Sequence, residues 1–341
     1  MGNWFSSGEA FPVTKRNKRK YGWIRDLPDH RDLFAQFPNW NTLTEQSDTS
    51  TRGGTRSVDL RETGNMPDVY NQGSLGSCTA QAIAGAFEFD IRKQKCPEYF
   101  TPSRLFIYYN ERVIEGTIEE DSGASIRDGI KVVHKIGVPT EKEYPYDISR
   151  FQVQPSMSIY MVAQKHKSVK YRRVPQNNSI LSAIVLGYPI SFGFSVYEHF
   201  ESPDFDGILK VPGKNERLLG GHAVLLCGYR TLENGYIQFL VRNSWGSGWG
   251  LEGYFWMEYA YVMDPNLCAD FWTIEGVTDV GKDDKDGNFV HQYDSSCIVE
   301  EEVPAAAASI VEEEVQAADA SIVEDVAVPE PYMFNSDSDN E

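Results

Sequence analysis

Residues 71–87 read NQGSLGSCTAQAIAGAF, a run of small residues around Cys78 that then turns apolar. From Cys78 onward, apolar side chains fall at Ala80, Ile83, Ala84, Phe87 and Ile91. Those i, i+3, i+4, i+7 steps predict an amphipathic helix with one buried face. A single thiol therefore stands where a glycine-rich turn passes into a helix. Four roles are open to it: packed core atom, half of a disulfide, metal ligand or nucleophile. Backbone N–H groups and the macrodipole at a helix start favour an anion, which lowers the pKa of a thiol placed there. A buried, inert cysteine is nevertheless the commoner fate of such a residue, so the rest of the chain has to decide.

Working outward, Ile126, Ile130 and Val133 predict a second helix, ended by Gly137 and Pro139, and LFIYYNERVI (105–114) a third. The period then changes. PISFGFSV (189–196), HAVLLCGY (222–229), YIQFLVRN (236–243) and GYFWMEY (253–259) read as strands bounded by Gly, Pro or Asn. Helices first and strands later predict an α+β fold with two segregated subdomains rather than a βαβ sheet.

The globular pattern spans about residues 57–275. Before it, residues 1–56 carry a basic cluster (Lys15, Arg16, Lys18, Arg19, Lys20), then YGWIRDLPDHRD, then a polar linker with Gly53 and Gly54 between Arg52 and Arg56. Such a linker suits proteolytic nicking. After it, residues 276–341 repeat SIVEEEVQAADA-like units and hold 18 acidic residues against Lys282 and Lys285, a net −16 of the chain's −18. This tail reads as an acidic low-complexity arm, expected to be disordered: either a solvating tail or a docking arm for a basic partner. The remainder is nearly neutral, which disfavours a nucleic-acid role.

Five cysteines (78, 96, 227, 268, 297) with no CxxC pair argue against a disulfide framework and a zinc ribbon. No apolar run approaches the roughly 18 residues of a membrane span, and the first residues lack a secretory h-region. These features predict an intracellular, cytoplasmic protein. Met1-Gly2-Asn3-Trp4-Phe5-Ser6 fits the M-G-x-x-x-[ST] pattern for acylation of Gly2. The basic residues at Lys15 to Lys20 would supply the second signal for membrane or virion attachment, a solvated basic segment being the ordinary alternative.

The chemistry gathers around Cys78 as follows. His222 stands at the mouth of a strand behind two glycines in LLGGHAVLLCGY, where small Gly221 lets a substrate backbone approach the ring. Asn243 follows the next strand in VRNSWGSGWG, where its amide could fix the imidazole tautomer. Gln72, six residues before Cys78, can donate toward a developing oxyanion together with the Cys78 N–H. The plain alternatives are a turn cap for Asn243 and core packing for Trp245 and Trp249.

Gln72-Gly-Ser-Leu-Gly-Ser-Cys78, Gly221-His222-Ala223-Val224 and Asn243-Ser244-Trp245-Gly-Ser-Gly-Trp249-Gly250, in that order, resemble the papain-like cysteine proteases. Val58-Asp59-Leu60-Arg61 and Tyr144-Pro145-Tyr146 extend the resemblance over about residues 57–275. It implies a two-subdomain fold, helical on the left and β-barrel-like on the right, with the cleft between them. It also implies peptide-bond hydrolysis of polypeptide substrates, with Cys78 as nucleophile, His222 as acid/base, Asn243 as orienting residue, Gln72 in the oxyanion hole and Trp245 shielding the His–Asn bond. No metal or organic cofactor is implied. Leu75 and Thr79 replace the usual Cys and Trp. Gly22-Trp-Ile-Arg-Asp-Leu-Pro-Asp29 with Arg31-Asp32 is similar to the bacterial and viral subgroup. Gly123 and Ala124 fall where the family binds substrate backbone, and Thr273 where it floors the specificity pocket. The resemblance implies a short inhibitory propeptide, residues 1–56, covering the cleft and removed near Arg52 to Arg56. A non-catalytic scaffold recruiting partners through the acidic tail is the alternative, disfavoured because all four chemical residues are present.

Overall fold

The computed structural model describes residues 20–47 and 57–278. Its helices are α1 (Trp40–Ser47), α2 (Cys78–Lys93), α3 (Arg104–Glu115), α4 (Ile126–Lys131), α5 (Met157–Ala163), α6 (Ser179–Val185) and α7 (Tyr259–Met263). The strands are β1 (Trp23–Ile24), β2 (Ser57–Asp59), β3 (Ala124–Ser125), β4 (Ser168–Arg173), β5 (Ile190–Tyr197), β6 (Ile208–Leu209), β7 (Leu218–Thr231), β8 (Ile237–Arg242), β9 (Tyr254–Glu258) and β10 (Cys268–Val277). The large sheet runs β4-β10-β5-β7-β8-β9-β6, with β2 also paired to β7; only the β6–β9 pairing is parallel.

Two apolar clusters form the cores, as the helices-then-strands order predicts. One is built on the sheet by Phe192, Phe194, Leu226, Phe239, Val241 and Phe255. The other gathers Ile83, Phe87, Phe106, Ile107, Ile130 and Val133 from the helices, with Ala223 and Leu225 from β7. The fold is α+β, and the helix starting at Cys78 lies where the two clusters meet.

That position corrects one expectation. The sequence predicts one buried face for α2, but every residue from Cys78 to Ile91 is buried. Small residues make this feasible: a Cβ on Gly85 would stand 2.6 Å from an Arg242 guanidinium nitrogen, so the bare glycine leaves room for that side chain. A helix buried on every side belongs between layers rather than on top of one. The second predicted helix also ends as read, with α4 running into a single π-helical turn (Val132–Ile136) closed by Gly137 at φ 93°.

The described part of the N-terminal segment lies on this body. β1 pairs parallel with β3, Trp23 opposite Ala124. Further on, the Ala35 N–H donates to the Arg173 carbonyl (2.8 Å) and the Arg173 N–H to the Leu33 carbonyl (2.9 Å), which ties the segment to β4.

Candidate active site

Cys78 is the first residue of α2 because the turn before it spends its polar groups elsewhere. The Ser77 hydroxyl makes no cap bond to the helix and instead meets the Tyr146 hydroxyl at 2.6 Å. The Gly76 N–H donates to Asp121 Oδ1 at 2.9 Å. Gly73 takes φ 62°, a left-handed conformation that glycine adopts at no steric cost, and donates to Asn71 Oδ1.

His222 comes from β7, paired with Phe194 of β5, and is fully buried. The Ala223 N–H, next to His222, is directed at the Cys78 sulfur, so the thiol and the imidazole share one end of β7. Asn243 follows β8 directly. Its Oδ1 accepts from the Ser244 backbone N–H at 2.8 Å, which identifies that atom as the amide oxygen. His222 Nε2, 2.8 Å from the same oxygen, must then be the protonated nitrogen. In the neutral ring this leaves Nδ1 as the basic nitrogen. Trp245 stacks on His222 with centroids 5.0 Å apart and planes at 27°, covering the His–Asn bond.

Gln72 is locked in the same way. The Ser244 hydroxyl donates to its Oε1 at 2.6 Å and the Gln72 N–H donates to the Ser244 carbonyl at 2.8 Å. Nε2 is therefore the end presented to the cleft, where it donates to the Lys20 carbonyl at 3.3 Å and to the Leu75 carbonyl at 3.0 Å. One serine thus fixes both the Gln72 amide and, through its N–H, the Asn243 amide that meets the imidazole.

The cleft is filled by residues 20–24. The Gly22 N–H is aimed at the Cys78 sulfur and the Gly22 carbonyl accepts from the Ala124 N–H at 2.7 Å. The fit depends on missing side chains. A Cβ on Gly22 would stand 1.7 Å from the Gly76 oxygen, and one on Gly123 (φ 80°) 2.3 Å from the Gly22 oxygen. Tyr21 lies edge-on to His222 at 6.1 Å and donates its hydroxyl to Glu201. Trp23 occupies the space left by Gly193 and Gly221, and its Nε1–H donates to Asp270 Oδ2 at 3.1 Å.

This filling overturns the expected low thiol pKa. Cys78 is fully buried, and burial pushes the thiol up to about 12 even though the Ala223, Gly22 and Thr79 N–H groups point at the sulfur. A helix start lowers a thiol pKa only while solvent or a counter-charge can stabilise the anion, and residues 20–24 exclude the solvent. In this arrangement the sulfur carries its proton.

Behind Trp23 the segment is clasped by acids and arginines. Asp26 donates its N–H to Asp270 Oδ2 (2.8 Å) and accepts from the Trp272 indole (2.9 Å). Asp32 accepts from Arg127 (2.7 Å) and Arg173 (2.6 Å), and Arg173 also donates to Asp270 Oδ1 (2.8 Å). Three carboxyls thus face two guanidiniums. Burial first, then the Asp270 charge, raise Asp26 to about 6, against the opposing pull of Trp272, Arg127 and Arg173.

The structure therefore brings Cys78, His222, Asn243, Gln72, Trp245, Gly221, Gly123 and Ala124 together around one cleft. Thr273 is not among them: it is fully buried, with its hydroxyl donating to the Pro189 carbonyl at 3.1 Å. The carboxylate that meets Trp23 belongs to Asp270, which sequence reading missed. Asp121 was missed as well. Cys96, Cys227 and Cys268 are buried and distributed over both cores. Gly2, Lys15 to Arg19, Arg52 to Arg56 and residues 279–341 of the acidic tail lie outside the described residues. Among the described residues, no helix is long and apolar enough to cross a membrane.

Comparison with known proteins agrees with this geometry. Residues 54–269 match the family described as papain family cysteine protease. An uncharacterized peptidase C1-like protein of Acanthamoeba polyphaga mimivirus is 43% identical over 282 residues, 78% of this chain and 90% of the relative. Mouse pro-cathepsin H is 27% identical, covering 70% of each chain. Among solved structures, xylellain, a cysteine protease from Xylella fastidiosa, is 40% identical with a TM-score of 0.66, over 77% of this chain and 98% of that one.

Proposed function

The chain belongs to the papain family of cysteine proteases, and on that premise we propose that it is a cysteine endopeptidase made in a covered form, residues 1–56 restraining a catalytic body that follows. The observation that carries the reading is a peptide already lying in the cleft. Its Lys20 carbonyl meets the Gln72 amide and its Gly22 N–H meets the Cys78 sulfur.

Once residues 20–24 leave, water and the imidazole can stabilise the sulfur anion. His222 Nδ1 takes the Cys78 proton, and the thiolate attacks the carbonyl carbon of a bound peptide. The oxygen gathers negative charge against Gln72 Nε2–H, held in place by Ser244. As the C–N bond breaks, the imidazolium gives its proton to the leaving amine, leaving a thioester on Cys78. His222 then takes a proton from water and the hydroxide attacks the thioester; the S–C bond breaks to release the acid, and the imidazolium returns its proton to the departing sulfur, restoring thiol and neutral imidazole. Throughout, His222 Nε2–H donates to Asn243 Oδ1, which holds the tautomer this cycle requires.

The test is incubation of the purified full chain with a denatured protein and, in parallel, with an epoxide probe for active-site thiols. Internal cleavages, labelling at Cys78, and loss of both in Cys78→Ser and His222→Ala are expected. Activity should rise as mass is lost near Arg52 to Arg56. Full activity at time zero with an intact N-terminus rejects the covered form, and trimming from chain ends alone rejects the endopeptidase.

A further inference from the structure

The thiol's turn is pinned on both sides. Ahead of Cys78, the Ser77 hydroxyl meets the Tyr146 hydroxyl at 2.6 Å. Behind it, Thr79 is fully buried and donates its hydroxyl to Glu111 Oε2 of α3 at 2.8 Å. Thr79 stands in the first turn of α2, where a backbone N–H has no partner inside the helix, and that N–H is aimed at the sulfur. Three N–H groups point there in the covered chain. The one from Gly22 departs with residues 20–24, so Ala223 and Thr79 supply the two that stay.

Glu111 is an unfavourable residue for a core. It is fully buried, and its Oε1 has no hydrogen-bond partner. A buried polar atom left unpaired destabilises a fold. Helix α4 also gives way to it: a Cβ on Gly129 would stand 2.1 Å from that oxygen and 2.4 Å from Ile83 Cδ1. Glycine inside a helix weakens it further. Burial first, then the charges of Glu115 and Asp128, hold the Glu111 carboxyl well above its usual range, against the Thr79 bond and Arg112. It therefore stands near the nucleophile as a neutral acid, and a charge there would oppose the thiolate. Two apolar side chains would fill the same room with no oxygen to satisfy.

We infer that Glu111 is a positioning residue for the nucleophile: through Thr79 it fixes the backbone N–H that steadies the Cys78 anion once the cleft is open. This rests on the peptidase reading above and adds how its thiolate is held. Without the Glu111 anchor the first turn of α2 is free to shift, and the donor drifts from the sulfur. A charge-assisted bond weakened in that way predicts a loss of about tenfold. Both residues are fully buried and out of a substrate's reach, so the loss falls on kcat and leaves KM alone.

The experiment uses the full chain and compares Thr79→Val, Glu111→Leu, the two combined, and Glu111→Gln. It measures kcat and KM on a fluorogenic peptide, the pH dependence of Cys78 labelling by the epoxide probe, and the midpoint of thermal unfolding. The cover is the same in all of them, so differences in the pH profile report the thiol. The combined variant decides, because it leaves neither partner unpaired and should unfold at or above the wild-type temperature. It should nevertheless lose about tenfold in kcat at unchanged KM, and its labelling midpoint should move up by about one pH unit. Glu111→Gln, whose amide oxygen can still accept from Thr79, should keep kcat within about twofold and the labelling midpoint in place. Wild-type kcat and labelling midpoint in the combined variant overturn the inference. A slow combined variant that also unfolds earlier overturns it too, since the pair then acts on the fold alone. So does a Glu111→Gln as impaired as Glu111→Leu. In each case labelling at Cys78 leaves the peptidase standing; a wild-type chain that neither labels nor cleaves removes both.

Discussion

The covering segment holds the cleft in two unlike ways. Over the sulfur, residues 20–24 rely on main-chain contacts, ring packing and one half-exposed lysine. Just beyond it in the chain, Asp26 and Asp32 enter a mostly buried cluster with Asp270, Arg127 and Arg173. The stretch over the sulfur is thus lightly bonded, and the strongly bonded stretch lies away from it. Trp23 joins the two: its ring fills the cleft and its N–H reaches the clasp.

Variants of the full chain can break that division, with the rate of Cys78 labelling as the common measure of uncovering. Trp23→Ala belongs to both regions and should have the largest effect. Emptying the space beside Gly193 and Gly221 and cutting the Asp270 bond should weaken the cover by about 3 kcal/mol, roughly a hundredfold in labelling. Asp32→Ala leaves Arg127 and Arg173 short of a partner and should release the cover by about 2 kcal/mol, roughly thirtyfold, although it lies far from the sulfur.

The next effect is one of pH. Asp26 ionises near 3.8 when free and at about 6 when clasped, so docking takes up a proton. This contribution is fully present below about pH 4 and is lost as pH rises through 6. Asp29 is held well below the usual range by its bond to Arg31, so it does not titrate in that window. Hydrogen exchange of residues 20–27, corrected for its intrinsic pH dependence, should be about tenfold more protected at pH 4.5 than at pH 7.5. Asp26→Asn should flatten that difference. Tyr21→Phe, which loses the hydroxyl's donation to Glu201, should change labelling by about threefold or less. If Tyr21→Phe outweighs Asp32→Ala, the division between blocking and holding is wrong.

What was legible in the sequence follows from how far each signal must reach. Cys78, His222, Asn243 and Gln72 each sit in a local pattern with a chemical meaning, so their convergence could be expected before any coordinates. The change from helical to alternating periodicity likewise carried the fold class. The all-round burial of α2 was not legible, because alanine and glycine score as neutral on any helical face and only the two cores reveal what those residues accommodate. Asp270 was hidden for a related reason. Its partners Trp23 and Asp26 lie some 240 residues away, and it adopts φ 58°, which turns its carboxyl in a direction strand alternation does not predict. Thr273 took its place in the sequence reading. The thiol pKa failed because it depends on what lies over the sulfur, and the lid is no part of the helix that carries it.

The bare surface offered by Gly123, Gly193 and Gly221 has an evolutionary consequence. Under the covered form proposed above, the same vacant room admits both the chain's own strand and any visiting polypeptide, so a mutation that reshapes the lane for new prey also loosens or jams the cover. Diet and self-control are then inherited together, and a lineage that changes one has to re-tailor residues 20–24 in step.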